Sequence, residues 1–471
     1  MSKQLWDLIV CPACGMSGSI KHSPSLTCQN CSSDFFWLGN IPCLFPSGRR
    51  QQDCWNHLFA ALIDEGQQAA AALNVELASP GLSALTVERL KNTLHLHWLT
   101  QEAMVELLQT SGFRPVKNVA YDQYSMNSFL IYYHLMLRDW GWDSSAAWQR
   151  EDRKFDENRV ALENVLQVLN PILSVSERPS RVLFIGAGAG RLSWDVHCVL
   201  KPEMTVALDF NPLLVSVGAR LIRNGETLYA YEKNQEQGGD GPAFFQWPLT
   251  CSEGEPHLRD TWFPMLADAW AMPFAAQSFD LIVTPWFIDV MHRDCKDLIA
   301  VVEKLLIPGG HWLNYGPFLY GNDFSERCKY TSTELKDFLQ LAQFSIVNEQ
   351  FFQVPYNFSP LTKSGRVERV WGALAKSSLS RSHLADAGEY DGVIDQQALP
   401  AWMVLPHLPI PRLTKPGLFP AELINVTQFI NGKNSINDIK SYIAPHLPSG
   451  IDAGDIIYQL LLDYVVDRTD E

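Results

Sequence analysis

The chain has no long hydrophobic run. Its longest apolar stretches, such as Leu281–Val283 and Val301–Ile307, are short or interrupted. They fall far below the ~18 residues that a membrane span requires. Near the start only Leu8-Ile9-Val10 is apolar, too little for the core of a secretory leader, so no membrane partner and a cytoplasmic location are expected. Positive charge is also scarce: 37 Lys and Arg face 52 Asp and Glu, a net charge of −15. An acidic chain gains no general attraction to phosphate backbones or anionic lipid, which argues against a nucleic-acid substrate. Nor is there a secreted disulfide framework. Four of the ten cysteines cluster, and Cys43, Cys54, Cys198, Cys251, Cys295 and Cys328 are scattered, which reads as reduced thiols. What is present is ordinary globular composition, 46% hydrophobic and 19% charged over 471 residues, long enough for about three domains.

Along the chain the texture changes several times. Residues 1–50 read as a compact unit of short strands and turns with paired cysteines. Residues 51–175 read as helical, with apolar residues at helical spacing (Leu90, Leu94, then Met104, Leu107, Leu108) and a break at Ser79-Pro80-Gly81. Residues 176–376 change period. The strand Val182–Ile185 is followed by a glycine turn, a helix over Arg191–Leu200 and a second strand, Thr205–Asp209. That is a βαβ unit, so a parallel sheet with helices on both faces is expected. A polar, Gly- and Gln-rich insertion over about 224–260 interrupts it. Further strands are expected at Asp280–Thr284, His311–Tyr315, Phe344–Phe352 and Val370–Ala375. Residues 377–417, with five prolines from Pro400 to Pro416, read as an extended linker. Residues 418–471 return to helical periodicity.

Two constellations carry chemistry. Cys11-x-x-Cys14 and Cys28-x-x-Cys31 are separated by 13 residues. Two such knuckles place four thiolates around one tetrahedral zinc, and a closed four-thiolate site is structural. The second is the turn Gly186-Ala-Gly188-Ala-Gly190-Arg191 between strand and helix, where glycines let the backbone bend sharply and approach a ligand. Asp209 ends the next strand, where an acidic side chain binds ribose hydroxyls. Asp268, ahead of the Asp280 strand, is placed to meet an adenine amino group. The dinucleotide fingerprint G-x-G-x-x-G is not satisfied, because Gly190 comes one residue early.

That order resembles class I S-adenosylmethionine-dependent methyltransferases, and the cysteine knuckles resemble the zinc-ribbon activator subunit of tRNA and protein methyltransferases. Further motifs narrow the resemblance. Phe287-Ile-Asp289-Val-Met-His292, Pro308-Gly-Gly-His-Trp312-Leu-Asn314-Tyr-Gly316-Pro317-Phe-Leu-Tyr320, Arg138-Asp139-Trp140, the glycine turn running into Arg191-Leu192, and Tyr356 resemble the carnosine N-methyltransferase family. The fold class implied is α/β: a Rossmann-like class I methyltransferase core with an N-terminal zinc ribbon, a helical region and a C-terminal helical, winged-helix-like module. The resemblance implies S-adenosylmethionine as cofactor, structural zinc, and methyl transfer to an imidazole nitrogen of a small histidine-derived substrate: histidine, an ovothiol-type thiohistidine, or a carnosine-like compound. It implies that Asp289 holds the ring N–H, that Tyr356 lines the pocket, and that Arg138 holds the methionine carboxylate. Arg191, Asp209, Asp268 and the three glycines complete the cofactor set. On the residues alone, Asp289 at the end of a core strand reads equally as a cap for the following helix, and His292 reads as a helix-start residue. The chain departs from the family pattern at Gly321, where His is usual, and at Arg366-Val-Glu368-Arg369, where a tyrosine-rich stretch is usual; these arginines are suited to meeting a substrate carboxylate. The C-terminal module resembles small peptide-recognition elements, so the rival readings are methylation of a peptidyl histidine delivered by that module, an RNA methyltransferase, and a non-enzymatic zinc-ribbon scaffold.

Overall fold

The computed structural model describes residues 3–22, 25–46, 48–114, 133–142, 156–173, 178–233, 244–251, 254, 256–291, 293–321, 324–361, 366–378 and 439. The chain divides into two compact units, Met1–Leu384 and Ala385–Glu471. The expected proline-rich linker (from residue 379 on) and C-terminal module lie outside the described residues, Ile439 excepted, as does His292.

The first unit opens with a short helix, α1 (Lys3–Trp6), and four strands: β1 (Ile20–Lys21), β2 (Leu26–Cys28), β3 (Asp34–Leu38) and β4 (Ile41–Leu44). Two long helices follow, α2 (Gly48–Leu77) and α3 (Ala84–Thr110), separated at the predicted Ser-Pro-Gly break. Ser83 caps α3 by accepting the Thr86 N–H. A π turn at Leu137–Gly141 and the helix α4 (Glu157–Leu173) lead into the main sheet.

That sheet contains β5 (Arg181–Ile185), β6 (Met204–Asp209), β9 (Trp262–Ala267), β10 (Phe279–Pro285), β11 (Leu306–Gly316), β12 (Phe344–Tyr356) and β13 (Arg366–Ser377), with a separate hairpin of β7 (Leu228–Lys233) and β8 (Phe244–Leu249). The order in space is β9-β6-β5-β10-β11-β13-β12. The first five strands are parallel, and β13 runs antiparallel to both β11 and β12. Helices α5 (Arg191–Leu200), α6 (Pro212–Gly218), α7 (Cys295–Leu305) and α8 (Ser332–Leu341) connect them. Strands β5, β6 and β10 are mainly apolar and are buried along nearly their whole length, as expected of parallel strands covered on both faces. This is the Rossmann-like α/β sheet expected from the sequence, with one antiparallel strand inserted before its last. The strand order reverses between β5 and β10, and ligands of open α/β sheets bind beyond the carboxyl ends of the strands at that point.

Two elements differ from the sequence expectation. β9 carries Pro264 in the middle of Trp262–Ala267, a residue that argues against a central strand because it cannot donate to the ladder. It nevertheless pairs with β6 along its length, Ala207 opposite Pro264. The insertion at 224–260 is also structured. β7 pairs with β8, and buried Glu232 accepts the indole N–H of both Trp142 and Trp247 at 2.9 Å. That buried carboxylate ties the hairpin to the end of the π turn.

The N-terminal ribbon is part of the same sheet. β3 pairs antiparallel with β4, and β4 pairs in parallel with β9, Cys43 opposite Leu266 and Leu44 opposite Ala267. Leu5, Ile9, Leu26 and Phe35 lie in one apolar cluster with Leu183, Met265 and Ile282.

Candidate active site

The glycine turn follows β5 at the switch point. Gly186, Gly188 and Gly190 all have positive φ (78°, 58° and 84°), the region that favours glycine. Space is a second constraint. A Cβ on Gly186 would lie 2.7 Å from the Phe287 ring, and one on Gly190 would lie 2.8 Å from the Trp262 ring. The Gly186 and Ala187 N–H groups donate to Leu208 O, at 2.9 and 3.0 Å. Asp209 then closes the turn: its Oδ2 accepts the Gly188 N–H at 2.8 Å and its Oδ1 accepts the Asn211 N–H at 2.8 Å. Burial raises the Asp209 pKa, and the backbone N–H groups of Asn211, Gly188 and Phe210 oppose the rise. The Trp140 indole donates to Ala189 O at 3.0 Å, fixing the far side of the turn.

Arg138 stands on the π turn, whose backbone carbonyls at Arg138 and Asp139 accept from Asn158 at 2.9 and 3.2 Å. Its guanidinium pairs with Asp139 Oδ1 at 2.7 Å and lies 5.9 Å from the Trp286 ring centre and 5.7 Å from that of Tyr356. Burial works against the charge, but Asp139, Tyr356 and Glu157 outweigh it, so Arg138 stays protonated. Arg191 is engaged differently. It pairs with Asp195 at 2.8 Å, donates to Asp139 O at 3.2 Å and lies over Trp140. It therefore braces the π turn against the first turn of α5. Asp268 sits just after β9, with Oδ1 accepting the Trp270 N–H at 2.9 Å.

The β10 end supplies the rest. Thr284 is fully buried, its hydroxyl donating to Asn314 Oδ1 and accepting the Trp312 indole N–H, so it faces the core. Trp286 has φ +44°, a conformation that costs a non-glycine residue of order 1–3 kcal/mol and collects at functional sites. Its N–H donates to Tyr315 O at 2.8 Å. Its indole donates to Glu368 at 3.0 Å, Glu368 also pairs with Arg366, and the Arg366 guanidinium lies 4.7 Å from the Tyr356 ring centre. Trp286 and Tyr356 thus form an aromatic pair, 6.1 Å apart, with a guanidinium from Arg138 and another from Arg366 against it.

Asp289 completes this group. It is 6% exposed. Its Oδ2 accepts the Leu319 N–H at 3.3 Å, and its Oδ1 is buried without a hydrogen-bond partner among the described residues. Burial pushes the carboxyl up from 3.8 to about 6, with Glu368 adding to the rise and its own backbone N–H, the Leu319 N–H and Arg366 opposing it. Asp289 does not cap the next helix. Asp294 does, accepting the Lys296 N–H at 2.9 Å. Sequence reasoning missed Glu157, which accepts the N–H groups of Asn357 and Phe358 and so fixes the turn after Tyr356. In sequence Glu157 is only an acid in the first turn of a helix, and its partners are 200 residues away.

The four cysteines converge at the ribbon. Their sulfurs all lie within 4.8 Å of one another, with Cys11–Cys31 and Cys14–Cys28 both at 3.7 Å. A tetrahedron with Zn–S bonds of about 2.3 Å has edges of about 3.8 Å, so the donor set fits one zinc ion. Asn30 lies 3.5 Å from the Cys14 sulfur and Ser33 3.1 Å from that of Cys31, the outer hydrogen bonds common around such sites.

Comparison with known proteins agrees with this geometry over part of the chain. Residues 250–361 match the family model for carnosine N-methyltransferase. That segment holds Asp268, Trp286, Asp289 and Tyr356. The carnosine N-methyltransferase of Mus musculus is 30% identical over 154 residues, covering 30% of this chain and 37% of its own length. Carnosine N-methyltransferase unmet of Drosophila melanogaster is 25% identical over 147 residues, covering 30% of this chain and 32% of its own. The chain therefore spans about a third of the length of these curated relatives. Among solved structures, the N-methyltransferase NodS of Bradyrhizobium japonicum overlays on 53% of this chain and 99% of its own at 16% identity, with a TM-score of 0.31, too low to carry any argument here.

Proposed function

We propose that this protein is an S-adenosylmethionine-dependent N-methyltransferase acting on an imidazole nitrogen of a small histidine-derived substrate. The observation that carries the reading is Asp289: a buried carboxylate with one oxygen that has no hydrogen-bond partner among the described residues, three residues after Trp286 of the aromatic pair, beyond the end of β10 at the strand-order switch point. A buried acceptor left unpaired costs about 1–3 kcal/mol, so such a group suits a donor carried by a ligand. An imidazole N–H meets that need. The family match over the same segment supports it, as does the activity for which the relatives are named.

The residues divide the work. Gly186, Gly188, Gly190, Asp209 and Asp268 would hold the adenosyl part of the cofactor, and Arg138 its carboxylate, with Arg191 bracing the turn that carries Arg138. S-adenosylmethionine supplies an electrophilic methyl group. Asp289 accepts the N–H of the neutral ring, which leaves the other nitrogen's lone pair available, and it opposes the positive charge that grows on the ring. Trp286 and Tyr356 flank the ring and exclude water. Arg366 stands beside Tyr356, where a guanidinium suits a carboxylate on the substrate.

The test is methyl transfer from labelled cofactor to histidine, thiohistidine, carnosine and His-containing peptides. Transfer to at least one free imidazole compound, lost in Asp289→Asn, is expected. Failure with every imidazole compound, with the cofactor bound, would overturn the reading.

A further inference from the structure

The ribbon and the cofactor site share one stretch of chain, and Asp268 lies inside it. On the near side of Asp268, Leu266 and Ala267 pair with Cys43 and Leu44 of β4. On the far side, the Val10 N–H donates to Pro273 O at 3.1 Å and the Ala275 N–H donates to Leu8 O at 2.9 Å, with Ile9 bridged antiparallel to Phe274. Val10 directly precedes Cys11 of the first knuckle. Both flanks of the Asp268 loop are therefore backbone-paired to the cysteine-bearing unit.

Within the loop, Ala271 donates to Asp268 O. Trp270 packs on Phe287, whose ring touches Gly186 of the glycine turn. Small zinc modules commonly order only when metal is bound, because the thiolates are otherwise unconstrained. Here the ribbon has no core of its own to fall back on, since its apolar residues join those of the sheet.

We propose that the Cys11/Cys14/Cys28/Cys31 ribbon is a positioning element for the cofactor site, so that zinc at the thiolates and an adenosyl ligand at Asp209 and Asp268 bind with positive coupling. The proposal rests on the cofactor reading given above. Without metal, the Leu8–Val10 and β4 ladders loosen, and ligand binding must itself order the Asp268 loop. Coupling between two sites in one protein is typically about 5- to 150-fold, and it is reciprocal.

The experiment uses the full chain, zinc-loaded and zinc-stripped, with S-adenosylhomocysteine titrated by calorimetry at a temperature where circular dichroism shows both forms folded. Stripping is expected to weaken binding about tenfold, and added zinc to restore it. In the loaded protein, a competing chromophoric chelator should report zinc held tighter by the same factor when S-adenosylhomocysteine is saturating. Ala275→Pro removes the N–H to Leu8 O but no thiolate; it should keep about one zinc per chain and still weaken S-adenosylhomocysteine several-fold. Equal affinity for S-adenosylhomocysteine with and without zinc, or equal zinc affinity with and without S-adenosylhomocysteine, would overturn the proposal while leaving the cofactor reading intact. No binding of S-adenosylhomocysteine to the zinc-loaded protein would remove both.

Discussion

Asp289 keeps one oxygen buried and, among the described residues, unpaired, and the sign of its pKa shift says what burial of the group does to the fold. Its pKa is raised from 3.8 to about 6. The protonated form therefore contributes stability that is fully present below about 3.8 and is lost as the pH rises through about 6. At pH 7.5 the ionised side chain costs the fold on the order of 2–3 kcal/mol, at about 1.4 kcal/mol per pH unit. Asp289→Asn should remove much of that cost, raising Tm by a few degrees at pH 7.5, with the gap closing below about pH 4; thermal melts across that range check it. The same substitution should lower kcat about 10²–10³-fold, as loss of one preorganised charged group does, with S-adenosylhomocysteine affinity nearly unchanged. Opposite effects on stability and rate mark a functional carboxylate. A variant that is less stable and still active would make Asp289 an ordinary structural acid. On the proposed imidazole chemistry, methyl transfer by the native protein should fall as the pH drops through about 6, where Asp289 and an imidazole ring, unperturbed near 6.5, both take up protons.

The glycine turn shows how an element restricts its residues. Gly190→Ala puts a Cβ at φ +84° and 2.8 Å from the Trp262 ring, which is itself tethered by its indole to Ser193. The ring cannot move without breaking that bond. We expect at least tenfold weaker S-adenosylhomocysteine by calorimetry and lower thermal stability; an Ala variant with native affinity would show that the turn tolerates a side chain and adapts around it. Asp209→Ala should also lose about tenfold or more, because it removes the bonds to Gly188 and Asn211 that set the shape of the turn. Elements of this kind were legible in the sequence. An apolar run, a glycine turn and an acid at the end of the next strand are local signals, and β5, β6 and β10 followed from them. β9 was hidden by Pro264, and β7 and β8 by their polar surroundings. Helix α6 had a readable start, since Asn211 caps it and Pro212 opens it. The surroundings of Asp289 were less legible. Glu368 and Arg366 come to it from β13 and the Leu319 N–H from the segment after β11, and no spacing rule links the helix acid Glu157 to the turn after Tyr356, 200 residues later.

At the scale of the whole molecule, β4 gives β9 a neighbour that the core alone would lack. An unpaired edge strand with apolar faces is a template for association with other chains. Every residue of β9 is buried, so its exposure would uncover an apolar strand, and salt would confine the repulsion from the net charge of −15 to about 8–10 Å. The ribbon is thus expected to serve solubility as well as stability, through the metal that its four thiolates are placed to hold. The purified protein should contain about one zinc per chain by elemental analysis. Cys28→Ser should abolish that zinc, lower Tm by about 5 °C or more, and shift part of the protein into aggregates on size-exclusion chromatography. The thermal effect follows because loss of a structural zinc site removes several kcal/mol, and each kcal/mol moves Tm by about 2–4 °C in a domain of a few hundred residues. Cys43→Ser is the control. Cys43 is a buried thiol outside the four-cysteine set, and its replacement should keep the zinc and, at most, destabilise modestly. Native protein without zinc, its four ribbon thiols open to titration and its melting unchanged in Cys28→Ser, would mean that strand pairing alone holds the ribbon on the edge of the sheet.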